Sequence, residues 1–208
     1  MLLCEKEIMN SYLYNHRHFF YVLLTFLSAL VLNSWSVPLF DVDEGAFSEA
    51  TREMVVSGNY LTTWLNGEPR FDKPILIYWF QAAAVHLFGV TEISFRLPSI
   101  LASLGWIVAV WVFTRRHLDI ERATAASMMV AASLGVMLIG RAATADALLN
   151  LFLVLTLFDL FEYSNRPAAL LRYRVFFWIA LGVLTKGPVA ILIPAAVSGI
   201  YYLWNRRI

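Results

Sequence analysis

Pro74-Ile-Leu-Ile-Tyr-Trp-Phe-Gln81-Ala-Ala-Ala-Val-His86-Leu-Phe-Gly89 is apolar enough to pass for a membrane span, yet it is short. As a helix its 16 residues would rise about 24 Å, against a hydrocarbon core of about 30 Å. It also carries Gln81 and His86. Whether this run crosses decides the side of every loop that follows it.

The chain around it is that of an integral membrane protein. Of 208 residues, 60% are hydrophobic, 15% aromatic and only 15% charged, with a mean hydropathy of +0.65. An ordinary globular chain carries about 25% charged residues. A net charge of +1 and a single cysteine, Cys4, exclude a basic nucleic-acid-binding arm, a disulfide scaffold and a highly charged disordered chain. Six further apolar runs read as spans: Phe19–Phe40, Leu97–Thr114, Ala123–Gly140, Ala142–Phe161, Val175–Thr185 and Pro188–Trp204. The first is long for a signal peptide's apolar region and lacks a small-x-small cleavage site, so it reads as an anchor.

The positive-inside rule settles the short run. With the N-terminus cytoplasmic and Pro74–Gly89 not crossing, ten Lys and Arg fall inside. Six fall outside: Arg52, Arg70, Lys73, Arg96, Arg141 and Lys186. If the run crosses, the tally reverses to five inside and eleven outside. The expectation is one all-α membrane domain over residues 1–208, with a cytoplasmic segment 1–18 and six spans. An outer loop, 41–95, would carry interfacial helices. This arrangement brings residues 41–73, Asp146 and Lys186 to the same outer side.

Within that loop Asp43-Glu44 opens a helical pattern, with Asp41 or Asp43 as N-cap, acidic groups at the positive end of the dipole and Gly58 as stop. Ala46, Phe47, Ala50, Met54 and Val55 recur at helical spacing, as in an amphipathic helix lying on a bilayer. Asp43 and Glu44 read either as helix caps or as chemistry. Asp72-Lys73-Pro74 reads either as a helix flank or as an acid beside a phosphate-binding ammonium. Asp146 lies in an apolar span, where a carboxylate turns toward a cavity or a partner; Arg141 is a candidate partner. Lys186-Gly187-Pro188 reads either as a kink or as a tight outer turn. Asp159 and Glu162 read as inner boundary residues, and His86 and His117 as structural. No Walker loop, dinucleotide fingerprint or nucleophile elbow occurs.

Four motifs in order carry a family resemblance. Asp43-Glu44-Gly-Ala-Phe-Ser-Glu49-Ala-Thr-Arg52-Glu53-Met54 with Leu65-Asn66-Gly67, then Phe71-Asp72-Lys73-Pro74, Arg141-Ala-Ala-Thr-Ala-Asp146 and Leu184-Thr-Lys186-Gly187-Pro188 resemble motifs of one group. These are the bacterial polyprenyl-phosphate-dependent glycosyltransferases of the protein-mannosyltransferase (GT-C) superfamily, nearest to the lipid A aminoarabinose transferases.

The resemblance implies a GT-C-type multi-span helical bundle in the bacterial inner membrane, with its active site on the periplasmic or extracellular face. It implies a polyprenyl-phosphate-linked sugar as donor and a lipid, glycan or protein as acceptor. Asp43 would be the principal catalytic carboxylate, with Glu44 beside it and Asp146 as a second acid; Lys73, Lys186 and Arg141 would contact the donor phosphate. A divalent metal would sit at Asp72, where the aminoarabinose group carries glutamate. Family members are markedly longer, so the chain is expected to be the N-terminal part of that fold or a short form completed by a second polypeptide. The groove beside Tyr78, Trp79 and Phe80 would take the prenyl tail. The competing class is a non-catalytic membrane component that binds lipid phosphate; a transporter ranks behind both, since no repeat of spans is evident.

Overall fold

The computed structural model describes residues 17–32, 34, 36–39 and 42–204. The described elements are α1 (Arg17–Val31, its last turn π-helical), α2 (Val42–Ser57) and a two-stranded antiparallel hairpin, β1 (Trp64–Leu65) with β2 (Glu68–Pro69). Then follow α3 (Leu76–Phe88), α4 (Glu92–His117), α5 (Ile120–Ala132), α6 (Leu134–Arg141), α7 (Asp146–Asn165), α8 (Ala169–Lys186) and α9 (Val189–Trp204). The fold is all-α apart from that hairpin. α4 packs on α5 and α7, α7 on α8 and α9, and α3 bridges α2 and α4.

Helix α2 starts and stops where the sequence predicts. Asp43 and Glu44 occupy its first turn, and Gly58 follows it at φ +68° with its N–H on the Met54 carbonyl. Phe47, Ala50 and Met54 form its buried face against Ile77, Tyr78 and Ala82 of α3. The proposed cap Asp41 lies outside the described residues, as does the segment 1–16. The hairpin turns on Asn66-Gly67, both at positive φ, the dipeptide that two-residue hairpin turns favour.

Three expected spans differ. Phe19–Phe40 is not one helix: α1 ends at Val31, where the Ser34 hydroxyl donates to the Leu30 carbonyl (2.7 Å) and the chain leaves helical geometry. Ala123–Gly140 is two helices bent by 60°. At the break Ser133 is extended, its hydroxyl donating to Val130 O while accepting from Val136 N–H, so one serine ends α5 and caps α6. The fourth run becomes helical only at Asp146, because residues 142–145 are held by side chains described below.

By length and apolar content, α4 and α7 can each cross a bilayer, as can the bent pair α5/α6. α3, at 13 residues, rises about 20 Å and is too short to cross alone. Gly187, at φ +76°, makes Lys186-Gly187-Pro188 a tight turn rather than a kink. Next to it α8 and α9 approach closely: a Cβ on Gly182 would stand 2.7 Å from that of Ala190.

Antiparallel packing puts the acids and lysines at one end. α4 and α7 end together, with His117 3.5 Å from Glu162. α8 returns antiparallel, with Arg174 on Asp159 at 2.9 Å at one end and Lys186 on Asp146 at the other. Asp159 is therefore not a boundary residue. It is 5% exposed and also accepts from Trp178 Nε1 at 2.9 Å.

Candidate active site

Asp43 reaches the site because its neighbour Glu44 is locked. Glu44 is buried, and Arg96 of α4 grips both its oxygens at 3.0 and 2.9 Å. The other N–H groups of Arg96 donate to the carbonyls of Ser34 (2.9 Å), Val37 (2.6 Å) and Pro38 (2.9 Å). All five guanidinium donors are thus satisfied inside the protein. They tie the exit from α1, the start of α2 and the start of α4 into one unit. Glu44 therefore stands as a positioning group, with Asp43 beside it presented to the cleft.

The segment before α7 is pinned through both backbone polar groups of one residue, Ala143. Ala143 N–H donates to Glu44 Oε1 at 2.6 Å, and Ala143 C=O accepts from Gln81 Nε2 at 3.1 Å. Gln81, fully buried, also donates to Phe95 O (3.0 Å) and accepts from the Thr51 hydroxyl (2.7 Å). The Ser99 hydroxyl donates to Thr144 O at 3.1 Å. These bonds replace helical ones over 142–145, so α7 begins with Asp146 in its first turn, where the helix dipole favours a carboxylate.

Two clefts result. The first, about 500 Å³, is lined by Asp43, Glu44, Arg96, Arg141, Thr144 and Asp146 among others. The second, about 370 Å³, is lined by Thr63, Arg70, Asp72, Lys73, Lys186 and Pro188 among others. Lys186 ion-pairs with Asp146 and so joins the two. Arg141, the expected partner of Asp146, instead donates to Leu32 O at 2.6 Å. The structure thus brings Asp43, Glu44, Arg141 and Asp146 to one cleft and Asp72, Lys73 and Lys186 to the other.

Arg70 holds both oxygens of Asp72, at 2.6 and 3.0 Å. That hydrogen bond keeps the exposed Asp72 carboxyl below its usual range, with the charges of Arg70 and Lys73 adding to it. It equally raises Arg70, whose charge is also supported by Asp43. Among the described residues no three His, Cys, Asp or Glu side chains gather to hold a metal. Both oxygens of Asp72, the residue expected at a metal, accept from Arg70.

The expected tail groove is corrected in part. Tyr78 is fully buried against Phe47, 5.4 Å between ring centroids. Trp79 is fixed by its Nε1–H on Tyr60 O at 2.7 Å. Phe80 does line an apolar cleft of about 430 Å³, with Ala84, Leu97, Leu101, Leu148 and Leu181. His86 bonds Tyr60 at 2.7 Å, and the His117 ring lies tilted beside that of Phe113, 4.4 Å between centroids. Sequence reading missed Arg96 and the role of Gln81. The signal for each was a polar side chain within or bordering an apolar helix.

Residues 72–208 match the family described as "Dolichyl-phosphate-mannose-protein mannosyltransferase". The chain is 32% identical to an undecaprenyl phosphate-alpha-4-amino-4-deoxy-L-arabinose arabinosyl transferase of Aeromonas salmonicida, over 82% of this chain and 32% of the relative. It is 27% identical to the enzyme of that name from Shewanella sediminis, over 91% and 34%. Its fold superposes on the crystal structure of ArnT from Cupriavidus metallidurans bound to undecaprenyl phosphate with a TM-score of 0.80. There the identity is 25%, over 89% of this chain and 34% of ArnT. The chain spans 32–40% of the length of these curated relatives and of a protein of Aquifex aeolicus.

Proposed function

The chain belongs to the dolichyl-phosphate-mannose-protein mannosyltransferase family, and from that premise we propose that it carries the donor half of a polyprenyl-phosphate-dependent glycosyltransferase. The donor is a sugar on undecaprenyl phosphate, as in the names of the relatives. The acceptor is a lipid A-like lipid, a glycan or a protein. The reaction takes place at the periplasmic face of the bacterial inner membrane, with the N-terminus cytoplasmic and α3 lying at the interface. Further chain or a second polypeptide completes the acceptor side.

The observation that carries this reading is the pairing of clefts, carboxylates Asp43 and Asp146 on one and cations Arg70, Lys73 and Lys186 on the other. In transfer, the bond from the sugar's anomeric carbon to the phosphate oxygen breaks and a bond to the acceptor oxygen forms. The departing polyprenyl phosphate keeps the electron pair, and cations already in place stabilise it as charge develops. Asp43 takes the proton of an alcohol acceptor, a general-base role worth typically about 10²–10⁴-fold; with a phosphate acceptor it orients the sugar instead. The apolar cleft at Phe80 suits the prenyl tail.

The test is transfer from radiolabelled undecaprenyl-phosphate sugar by purified protein. Asp43→Asn is expected to abolish transfer with membrane insertion and abundance unchanged, and full activity in that variant would refute the assignment. The cationic cleft by itself also suits a second reading, a component that binds lipid phosphate without turnover. It is supported if Lys73-dependent binding occurs with no transfer.

A further inference from the structure

Lys186 belongs to both clefts. Its ammonium ion-pairs with Asp146, which faces the carboxylate cleft, while its side chain lines the cationic cleft beside Arg70 and Lys73. The other two cations are placed differently. Arg70 is tied to Asp72 by two hydrogen bonds, and Lys73 makes no ion pair with the described residues. We infer that Lys186 is a relay: a phosphate group entering the cationic cleft takes the ammonium from Asp146 and so releases that carboxylate into the cleft it shares with Asp43. This rests on the proposed reading of the cationic cleft as a phosphate site.

The local structure suits an exchange. Both side chains of the pair are about one-third exposed, 34% for Lys186 and 37% for Asp146, and ion pairs at that exposure are weak. A dianionic phosphate is the stronger partner for an ammonium. The lysine's flexible stem leaves from a backbone fixed by the Gly187 turn, so the side chain moves without the helix. Asp146 remains stabilised as an anion after release, at the N-terminus of α7 and with the Thr144 hydroxyl 3.4 Å away. Coupling of this kind is reciprocal: whatever releases Lys186 from Asp146 tightens phosphate binding.

The test reads binding, not turnover. Undecaprenyl phosphate in detergent micelles, inorganic phosphate and phosphate-free undecaprenol are titrated at fixed ionic strength into wild type, Asp146→Asn, Lys186→Met and the double variant. Asp146→Asn is expected to tighten phosphate binding by about two- to fivefold, the weight of one partly exposed ion pair. The gain should vanish in the Lys186→Met background, with undecaprenol indifferent throughout. A gain that persists without Lys186, or no gain at all, would overturn the relay. A response to inorganic phosphate as well as to the lipid identifies the phosphate alone as the trigger; a response to the lipid only identifies the tail as required. Either pattern supports the exchange.

A wild-type measurement guards against misfolding of the variants. The chain has three lysines, Lys6, Lys73 and Lys186, so ¹³C-dimethylation gives three lysine resonances beside that of the α-amine, with Lys186 assigned through Lys186→Arg. That resonance should shift on adding undecaprenyl phosphate, and an unmoved signal at saturation would overturn the relay. Absence of any phosphate binding by wild type would remove both the relay and the glycosyltransferase reading. Coupled binding without sugar transfer would leave the relay standing and remove the enzyme reading alone.

Discussion

Arg96 uses every N–H of its guanidinium on buried acceptors, three backbone carbonyls and the two oxygens of Glu44. Removing one side of a buried charge pair typically costs about 3–5 kcal/mol. Arg96→Met is therefore expected to lower unfolding free energy in detergent micelles by about that amount, and stability within about 0.5 kcal/mol of wild type would contradict the role. Glu44→Gln should cost less, because its amide oxygen still accepts from Ala143 N–H. None of this was legible in the local sequence. Arg96 reads there as one outer charge among six, and its partner stands 52 residues away. Asp43, Lys73 and Asp146 were legible as candidates, because charges are scarce in a chain that is 60% hydrophobic and a charge in an apolar setting needs a reason.

At the scale of elements, α2 and the α8–α9 turn were readable because their ends carry strong local signals: Asp43-Glu44 and Gly58 in one, Gly187-Pro188 in the other. The Asn66-Gly67 hairpin carried an equally strong signal that helical patterning on either side obscures. The break between α5 and α6 was not readable. Both halves are apolar, and only the conformation of Ser133 distinguishes a bend from a continuous helix. Gln81 explains why α3 looks like a flawed span: its amide joins α2, α4 and the segment before α7. Gln81→Leu keeps the volume but strands the Ala143 carbonyl and the Thr51 hydroxyl, at a cost of roughly 1–3 kcal/mol for an unsatisfied buried group. Thermal unfolding should show the lowered midpoint, and an unchanged midpoint would deny α3 this linking role.

For the whole molecule, the helices sort charge by end. Asp43, Lys73, Asp146 and Lys186 gather at one end of the bundle, while the α4–α5 connection with Arg115 and Arg116 and the start of α8 with Arg172 lie at the other. In the proposed topology the second end faces the cytoplasm. With Cys4→Ser as background, Leu61→Cys should react with a membrane-impermeant maleimide in intact cells, and Leu118→Cys only after permeabilisation. Both positions are exposed, so the reverse pattern would invert the topology. The peptide at Ala143 adds a consequence for engineering by recombination. Its two clamps come from Glu44 and Gln81, 99 and 62 positions away, and Glu44 depends in turn on Arg96. The acidic loop is therefore not a cassette that can be grafted alone between relatives. A crossover between Glu44 and Arg96 separates the carboxylate from the guanidinium that aims it, so a working chimera must inherit that stretch from one parent.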